Sequence, residues 1–195
     1  MLTFDAPTHT YTLNGRRLPS VTQVLQLVVD YSRVPADVLE AARVFGSHVH
    51  EACDLFDRGQ LDWMSLDPAL VPYVEAWRQF CLDSGAIVIA SEIRLFHEKL
   101  RYAGTADVVL AWNGKIVIPD RKSTAVVPPS VGAQTAAYAK AYQAMHGGRE
   151  PERRCIQLNP DATYRVHAKR DAADWSLFLS CLNVHNFREK HYAAA

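Results

Sequence analysis

The feature that most constrains the fold of this 195-residue chain is a short stretch, residues 104–123, with the sequence GTADVVLAWNGKIVIPDRKS. Residues 106–112 are apolar and rich in strand-forming types, Asn113-Gly114 is a strong hairpin signal, and residues 115–118 resume the apolar pattern. The stretch therefore predicts two antiparallel strands joined by a tight turn.

Two carboxylates and a lysine interrupt this apolar pattern. Because successive side chains of a strand point to opposite faces, Asp120 and Lys122 are predicted to share a face while Arg121 points away. Asp107 is expected across the hairpin, near the same edge of the sheet. Such a group suits a hard divalent cation with an activated water, but a surface turn with a salt bridge is an equally good interpretation of these residues alone.

Composition and length are those of an ordinary globular protein, with 49% apolar and 22% charged residues. We expect one domain over residues 1–195, in which residues 1–34 form an N-terminal hairpin and helix appendage. No apolar run approaches the ~20 residues that span a bilayer, and no signal segment opens the chain, so the expected location is cytoplasmic, without a membrane partner.

Cysteine spacing and motif content argue against several cofactors. The four cysteines stand singly, without a C-x-x-C pair, so we expect no structural zinc and no iron–sulfur cluster. No G-x-x-x-x-G-K-[ST] occurs either, so no nucleotide site is predicted. Net charge is zero, and a nucleic-acid partner would need a local basic surface; residues 149–170 carry three more cations than anions, although a solvated face is the commoner reason for such a run.

Upstream of residue 104, the chain predicts a hairpin over residues 10–18, an N-cap at Ser20, and a long helix that begins at Pro35. His50 lies beside the apolar stripe of that helix, so its ring can reach toward the sheet, whereas His48 points elsewhere. A lone histidine in this position is more often a hydrogen-bonded structural residue than a ligand. A further helix and a strand with Glu92 follow, and this strand forms a three-stranded meander with the hairpin.

Downstream, an alanine-rich helix is predicted from residue 131 to about residue 146, followed by two strands and a last helix. Gln134 and Tyr138 are four residues apart and therefore lie on one face of the first of these helices. Tyr138 is either a residue of the site or simply a core aromatic.

Five short motifs, in the order in which they occur along the chain, resemble those of the PD-(D/E)xK nuclease superfamily. Within it, they are similar to the RecB-like exonuclease group of phages and recombination systems. The motifs are Gly46-x-x-x-His50, Glu92, Gly104-Thr-Ala-Asp107, Asp120-Arg-Lys122 and Gln134-Thr-Ala-Ala-Tyr138. The resemblance implies an α/β fold with a restriction-endonuclease-like core, in which helices flank a mixed, largely antiparallel central sheet. One departure is that Ala106 stands where the family has the proline of its "PD" motif. Pro119 only mimics that proline, because Asp120 already belongs to the D-x-K motif. A proline in a central strand predicts a bulge or a strand end at residue 119.

The resemblance also implies a ligand set for one or two metal ions. Asp107 and Asp120 would hold Mg²⁺ or Mn²⁺ with the backbone carbonyl of Arg121, and His50 would be a further ligand. Glu92 would be an outer ligand or an acid that supports the ligands.

Three further residues are implied to take part in catalysis. Lys122 would orient or deprotonate the attacking water and stabilise the charge on the phosphorus centre. Gln134 and Tyr138 would form the wall of the site and contact the DNA backbone or Lys122.

The function so implied is that of a metal-dependent DNA exonuclease acting on linear DNA in phage or bacterial recombination or repair. A structure- or site-specific endonuclease, and a non-cleaving module that binds DNA or a partner, remain alternatives. A single-strand-annealing or recombination protein, and a second copy of the chain, are further partners left open.

Overall fold

The computed structural model describes residues 1–192, so residues 193–195 of the predicted domain lie outside the described residues. Its elements are β1 Leu2–Asp5, β2 Thr10–Leu13, β3 Arg16–Leu18, α1 Val21–Leu25, a short 3₁₀ helix Gln26–Val28, α2 Ala36–Asp57, α3 Val71–Ser84, β4 Ile87–His97, β5 Tyr102–Trp112, β6 Lys115–Lys122, α4 Val131–His146, β7 Glu152–Leu158, β8 Tyr164–Ala168 and α5 Ala173–Tyr192. None of the helices within residues 1–192 combines the length and the apolarity that a membrane crossing requires.

The central sheet has five strands in the order β4-β5-β6-β7-β8. Pairing is antiparallel except between β6 and β7, which run parallel. A parallel pair needs a long crossover, and α4 provides it. The predicted α/β fold with a mixed, largely antiparallel central sheet flanked by helices is therefore confirmed.

Helices cover both faces of this sheet. On one face α1, α4 and α5 enclose a core that includes Val24, Tyr102 and Phe178. On the other face α2 and α3 enclose a second core that includes Val49 and Trp77. Because both faces are covered, the inner strands are apolar along most of their length, and their few polar side chains stand out.

The predicted β5–β6 hairpin is present, and its turn explains the sequence. Asn113 and Gly114 have φ of 51° and 69°, the left-handed pair that a tight two-residue hairpin turn requires. The paired residues run from Trp112 with Lys115 to Leu110 with Val117.

Beyond that point β6 leaves β5 but stays paired with β7 as far as Lys122. The strand does not end at Pro119; instead its ladder with β5 stops two residues earlier, since proline has no N–H to donate. The backbone N–H of Arg121 donates to Oδ2 of Asp107 at 2.7 Å, so a side chain takes the place of the missing ladder bond. The candidate site lies in this gap.

The N-terminal residues pack against β5 beside the gap. They form a three-stranded N-terminal sheet in the order β1-β2-β3. The predicted hairpin provides β2 and β3, whereas the sequence did not indicate β1. Ser20 caps α1 in a reciprocal capping box with Gln23. The Tyr11 hydroxyl lies 2.8 Å from Oγ1 of Thr105 on β5.

Candidate metal centre

An open cleft of about 660 Å³ lies between the N-terminal sheet, α2, the end of β6, and α4. Six residues that the sequence singled out line it: His50, Glu92, Asp107, Lys122, Gln134 and Tyr138. The other two, Asp120 and Arg121, are fully buried at the end of β6.

The imidazole of His50 faces Asp107. Its Nδ1 lies 3.3 Å from Oδ1 of Asp107, while His48, turned by about 200° on the same helix, is exposed. Val49 and Cys53 are buried on the core side of α2 and fix the rotation that brings His50 to the sheet edge.

Glu92 completes a group of three donors. One ligand atom from each of His50, Glu92 and Asp107 lies within 4.8 Å of the other two. Glu92 has φ of 49° within β4, a conformation that costs on the order of 1–3 kcal/mol for a side-chain-bearing residue and is concentrated at functional sites. Burial, reinforced by the charge of Asp107, raises the pKa of Glu92 to about 7. Its only signal in the sequence was a carboxylate within an apolar strand.

Asp107 is held ionised by its neighbours. Burial alone would raise the pKa of this carboxyl, but His50, Lys122 and Arg121 together hold it below its ordinary range. Because Oδ2 is occupied by the Arg121 N–H, Oδ1 is the oxygen that faces His50 and the cleft.

Asp120 and Lys122 share a face of β6 and form an ion pair. Nζ of Lys122 lies 2.9 Å from Oδ2 of Asp120 and donates to Oδ1 at 3.1 Å. Oδ2 is buried and accepts no hydrogen bond of good geometry. Burial and the charge of Asp107 raise the pKa of Asp120 despite the ammonium, and the two carboxylates raise the pKa of Lys122 although burial opposes this. Asp120 is not one of the three donors grouped around His50.

Arg121 points to the opposite face, where it forms a second and fully buried ion pair. Its Nη1 lies 2.8 Å from Oδ2 of Asp57, and its guanidinium carbon lies 4.9 Å from the centroid of the Trp77 ring. Asp57 also accepts from Nε1 of Trp77 at 2.6 Å and from Oγ of Ser91 at 3.2 Å. The predicted ligand role of the Arg121 carbonyl stays a prediction.

This buried group supports Asp107 from behind. Nη2 of Arg121 and Oγ of Ser91 both donate to the backbone carbonyl of Asp107, at 3.1 and 3.3 Å. Together with the Arg121 N–H on Oδ2, these bonds fix both the backbone and the carboxylate of the residue nearest His50. Sequence reasoning missed Asp57 and Ser91 entirely.

Asp54 is a further carboxylate that the sequence did not single out. It follows His50 by one helical turn and lines the same cleft. Oδ2 pairs with Arg58 at 2.8 Å, whereas Oδ1 is buried without a partner.

Gln134 and Tyr138 on α4 line the wall of the cleft that also contains Lys122. The Tyr138 ring is buried against Gly104 of β5, where an added Cβ would lie 2.7 Å from Cε1. Burial and then the charge of Asp107 raise the pKa of Tyr138, so the hydroxyl stays protonated and can donate. Glycine at residue 104 is therefore what allows this aromatic ring to reach the site.

The donor set fits a divalent metal ion. Carboxylate oxygens are the ligands that hard divalent cations prefer, and one imidazole extends the range toward transition metals. Among residues 1–192, Oδ1 of Asp54 accepts no hydrogen bond, and Oδ2 of Asp120 is matched only by the nearby Lys122 ammonium, so neither buried oxygen is fully satisfied.

No family model and no curated protein matches the chain. Among solved structures, it is similar to an alkaline exonuclease (LHK-Exo) from Laribacter hongkongensis, with 14% identity over 90% of this chain and 92% of that chain and a TM-score of 0.42. The protein SSO0001 gives 13% identity over 88% and 81% of the two chains and a TM-score of 0.38. LHK-Exo in complex with dAMP gives 15% identity over 91% and 95% and a TM-score of 0.33. Likenesses of this strength assign the chain to no family.

Proposed function

We propose that this chain is a metal-dependent nuclease of the PD-(D/E)xK superfamily that hydrolyses phosphodiester bonds in DNA. The observation that carries the proposal is the convergence of His50, Glu92 and Asp107 within 4.8 Å, in a cleft that also contains Lys122 with its Asp120 partner. These residues come from four separate elements, α2, β4, β5 and β6, and the motif resemblance groups the same residues.

In this proposal His50, Asp107, Glu92 and Asp120 hold Mg²⁺ or Mn²⁺. When bound, such an ion supplies a Lewis acid and a water of lowered pKa. The ligand atoms of His50, Glu92 and Asp107 lie within 4.8 Å of one another, and a divalent cation would offset the repulsion between the two carboxylates.

Lys122 orients the attacking water and stabilises negative charge on the reacting phosphate, since its ammonium opens on the cleft. Preorganised donors of this kind act where charge develops in the transition state. The Tyr138 hydroxyl and the Gln134 amide supply further donors to the phosphate from the facing wall.

We further propose exonuclease action on linear DNA, in phage or bacterial recombination or repair, because the Gln134–Tyr138 pair follows the RecB-like pattern. Endonuclease action is the alternative within the same chemistry. A non-cleaving DNA-binding module is disfavoured because a scaffold without chemistry gains nothing from clustered, half-satisfied charges that cost free energy to bury.

Incubation of linear and covalently closed circular DNA with Mn²⁺, with and without EDTA, tests the proposal. We expect loss of linear DNA with Mn²⁺, protection by EDTA, and survival of the closed circles. The Asp107→Asn variant, which keeps the side-chain volume but weakens the ligand, should be inactive. DNA binding without cleavage under any divalent ion would favour the non-cleaving module, and nicking of circles would favour an endonuclease.

A further inference from the structure

A second groove, of about 610 Å³, lies between the β3–α1 junction, the β4–β5 turn and the second half of α5. We define the basic groove by its three cations, Arg17, Lys99 and Arg101, which face a single carboxylate, Glu189. The side chains of His185 and Asn186 add polar groups to its α5 wall.

The three cations of the basic groove are free of ion pairs. Among residues 1–192, none of them lies within salt-bridge distance of a carboxylate. In the basic 149–170 segment, Arg153 and Arg154 are paired with Asp174 and Glu152. The other four cations of that segment form no ion pair among residues 1–192, but they do not gather in this groove. In a chain of zero net charge, this groove is therefore a local concentration of unneutralised positive charge.

The basic groove and the metal-centre cleft share one wall. Within residues 19–23, Ser20, Val21 and Thr22 line the cleft, whereas Pro19 and Gln23 line the groove. A single helix is about 10 Å thick, a distance that a few nucleotides of a strand can span. A strand that crosses this wall can thus occupy both sites at once.

We infer that the basic groove binds the phosphate backbone of the DNA strand a few nucleotides from the metal centre. Free arginine and lysine side chains release counterions when they meet phosphates, and neutral amides and imidazole add donors without a sequence requirement. This inference deepens the proposed function and rests on it for the identity of the substrate. It predicts that affinity depends on strand length, because a strand too short to cross the wall can occupy only one of the two sites.

Fluorescence anisotropy in EDTA, where no cleavage takes place, tests this with single strands of about 20 and about two nucleotides. The test variant is Lys99→Glu/Arg101→Glu. The matched control, Arg149→Glu/Arg170→Glu, makes the same charge change at the far end of β6, beside the Asn113–Gly114 turn. Arg101 has a positive φ of 58°, which glutamate tolerates less well than asparagine does. A second, neutral variant, Lys99→Gln/Arg101→Asn, therefore checks that a loss of binding is not caused by misfolding.

We expect the test variant to bind the longer strand roughly tenfold more weakly than the control does. The slope of the logarithm of the binding constant against the logarithm of the salt concentration should be smaller in magnitude by about 1.4 than that of the parent. The shorter strand should bind the parent far more weakly than the longer strand does, and for the longer strand the neutral variant should lie between parent and test variant. Equal losses in test and control, or a test variant that binds like the parent, would overturn the inference, as would a parent that binds no DNA. If the parent binds through the groove yet cleaves no DNA with any divalent ion, the groove stands and the proposed function fails.

Discussion

Neighbouring residues of β6 send their side chains to opposite faces of the sheet, and each forms an ion pair of similar length. Lys122 pairs with Asp120 at 2.9 Å, and Arg121 pairs with Asp57 at 2.8 Å. The side chain of Lys122 is 21% exposed to the cleft, whereas those of Arg121 and Asp57 are at most 1% exposed.

The two pairs differ in how fully their carboxylates are satisfied. Both oxygens of Asp57 accept hydrogen bonds, from Trp77, Ser91 and Arg121. Oδ2 of Asp120 accepts none. A carboxylate whose oxygens all accept hydrogen bonds can only hold its surroundings in place, while one with an unsatisfied oxygen beside a cleft has capacity for a cation. Nε of Arg121 also lacks a partner among residues 1–192, but a positively charged donor does not bind a metal ion. We therefore assign chemistry to the Lys122 face and support to the Arg121 face.

The largest expected effect on activity is that of Lys122→Ala. Cleavage should fall by about 10²–10³-fold, because a donor to the transition state is lost. Mn²⁺ binding should persist. Single-turnover kinetics on linear DNA measures the loss of cleavage, and a titration with Mn²⁺ measures metal binding. Lys115→Ala, at the other end of β6, is the control and should cleave normally; unchanged turnover in the Lys122 variant would remove this residue from the mechanism.

On the opposite face, Arg121→Ala should lower the free energy of unfolding by about 3–5 kcal/mol, because it leaves Asp57 charged, buried and unpaired. Urea denaturation followed by circular dichroism measures this. A decrease in the free energy of unfolding of less than about 1 kcal/mol, as for a solvent-exposed ion pair, would contradict the supporting role of Arg121 and Asp57.

The double variant Arg121→Met/Asp57→Leu separates stability from positioning. Replacing both charges by apolar side chains should recover part of the stability lost in Arg121→Ala, because no unpaired charge stays buried, although Nε1 of Trp77 and Oγ of Ser91 lose their acceptor. It still removes the Nη2 donor from the Asp107 carbonyl, so Mn²⁺ affinity should stay about tenfold or more below that of the parent. A double variant that binds Mn²⁺ like the parent would show that Arg121 only stabilises the fold.

The smallest effect is expected for Tyr138→Phe, which removes one hydroxyl from the cleft wall. A single hydrogen bond contributes about 0.5–1.5 kcal/mol, so cleavage should fall about three- to tenfold while the urea midpoint stays close to that of the parent. If cleavage is unchanged, Tyr138 is a core aromatic and the α4 wall is scaffold.

The contrast between the faces also shows which parts of the molecule could be predicted from sequence. The Asn113–Gly114 turn and the N-cap at Ser20 depend on residues within a few positions, and both were predicted in place. Sharing of a face by Asp120 and Lys122 follows from strand geometry alone.

The remaining features depend on contacts between distant segments. Asp57 and Arg121 are 64 residues apart, and each alone has the pattern of a solvated charge. Glu92 enters the group of donors through a positive φ that no local motif announces. The basic groove likewise collects its cations from separate segments, whereas two of the cations that are adjacent in sequence, Arg153 and Arg154, are paired with carboxylates.

Calorimetric titration with Mn²⁺ tests most directly whether His50, Glu92 and Asp107 bind a divalent ion. His48 and His50 provide a matched pair on one helix, since one is exposed and the other faces Asp107. We expect His48→Ala to bind Mn²⁺ like the parent and His50→Ala to bind it about 10–100-fold more weakly, in line with the loss of a group that orients a metal site. Equal Mn²⁺ affinity in both variants, or no binding by the parent, would contradict the account.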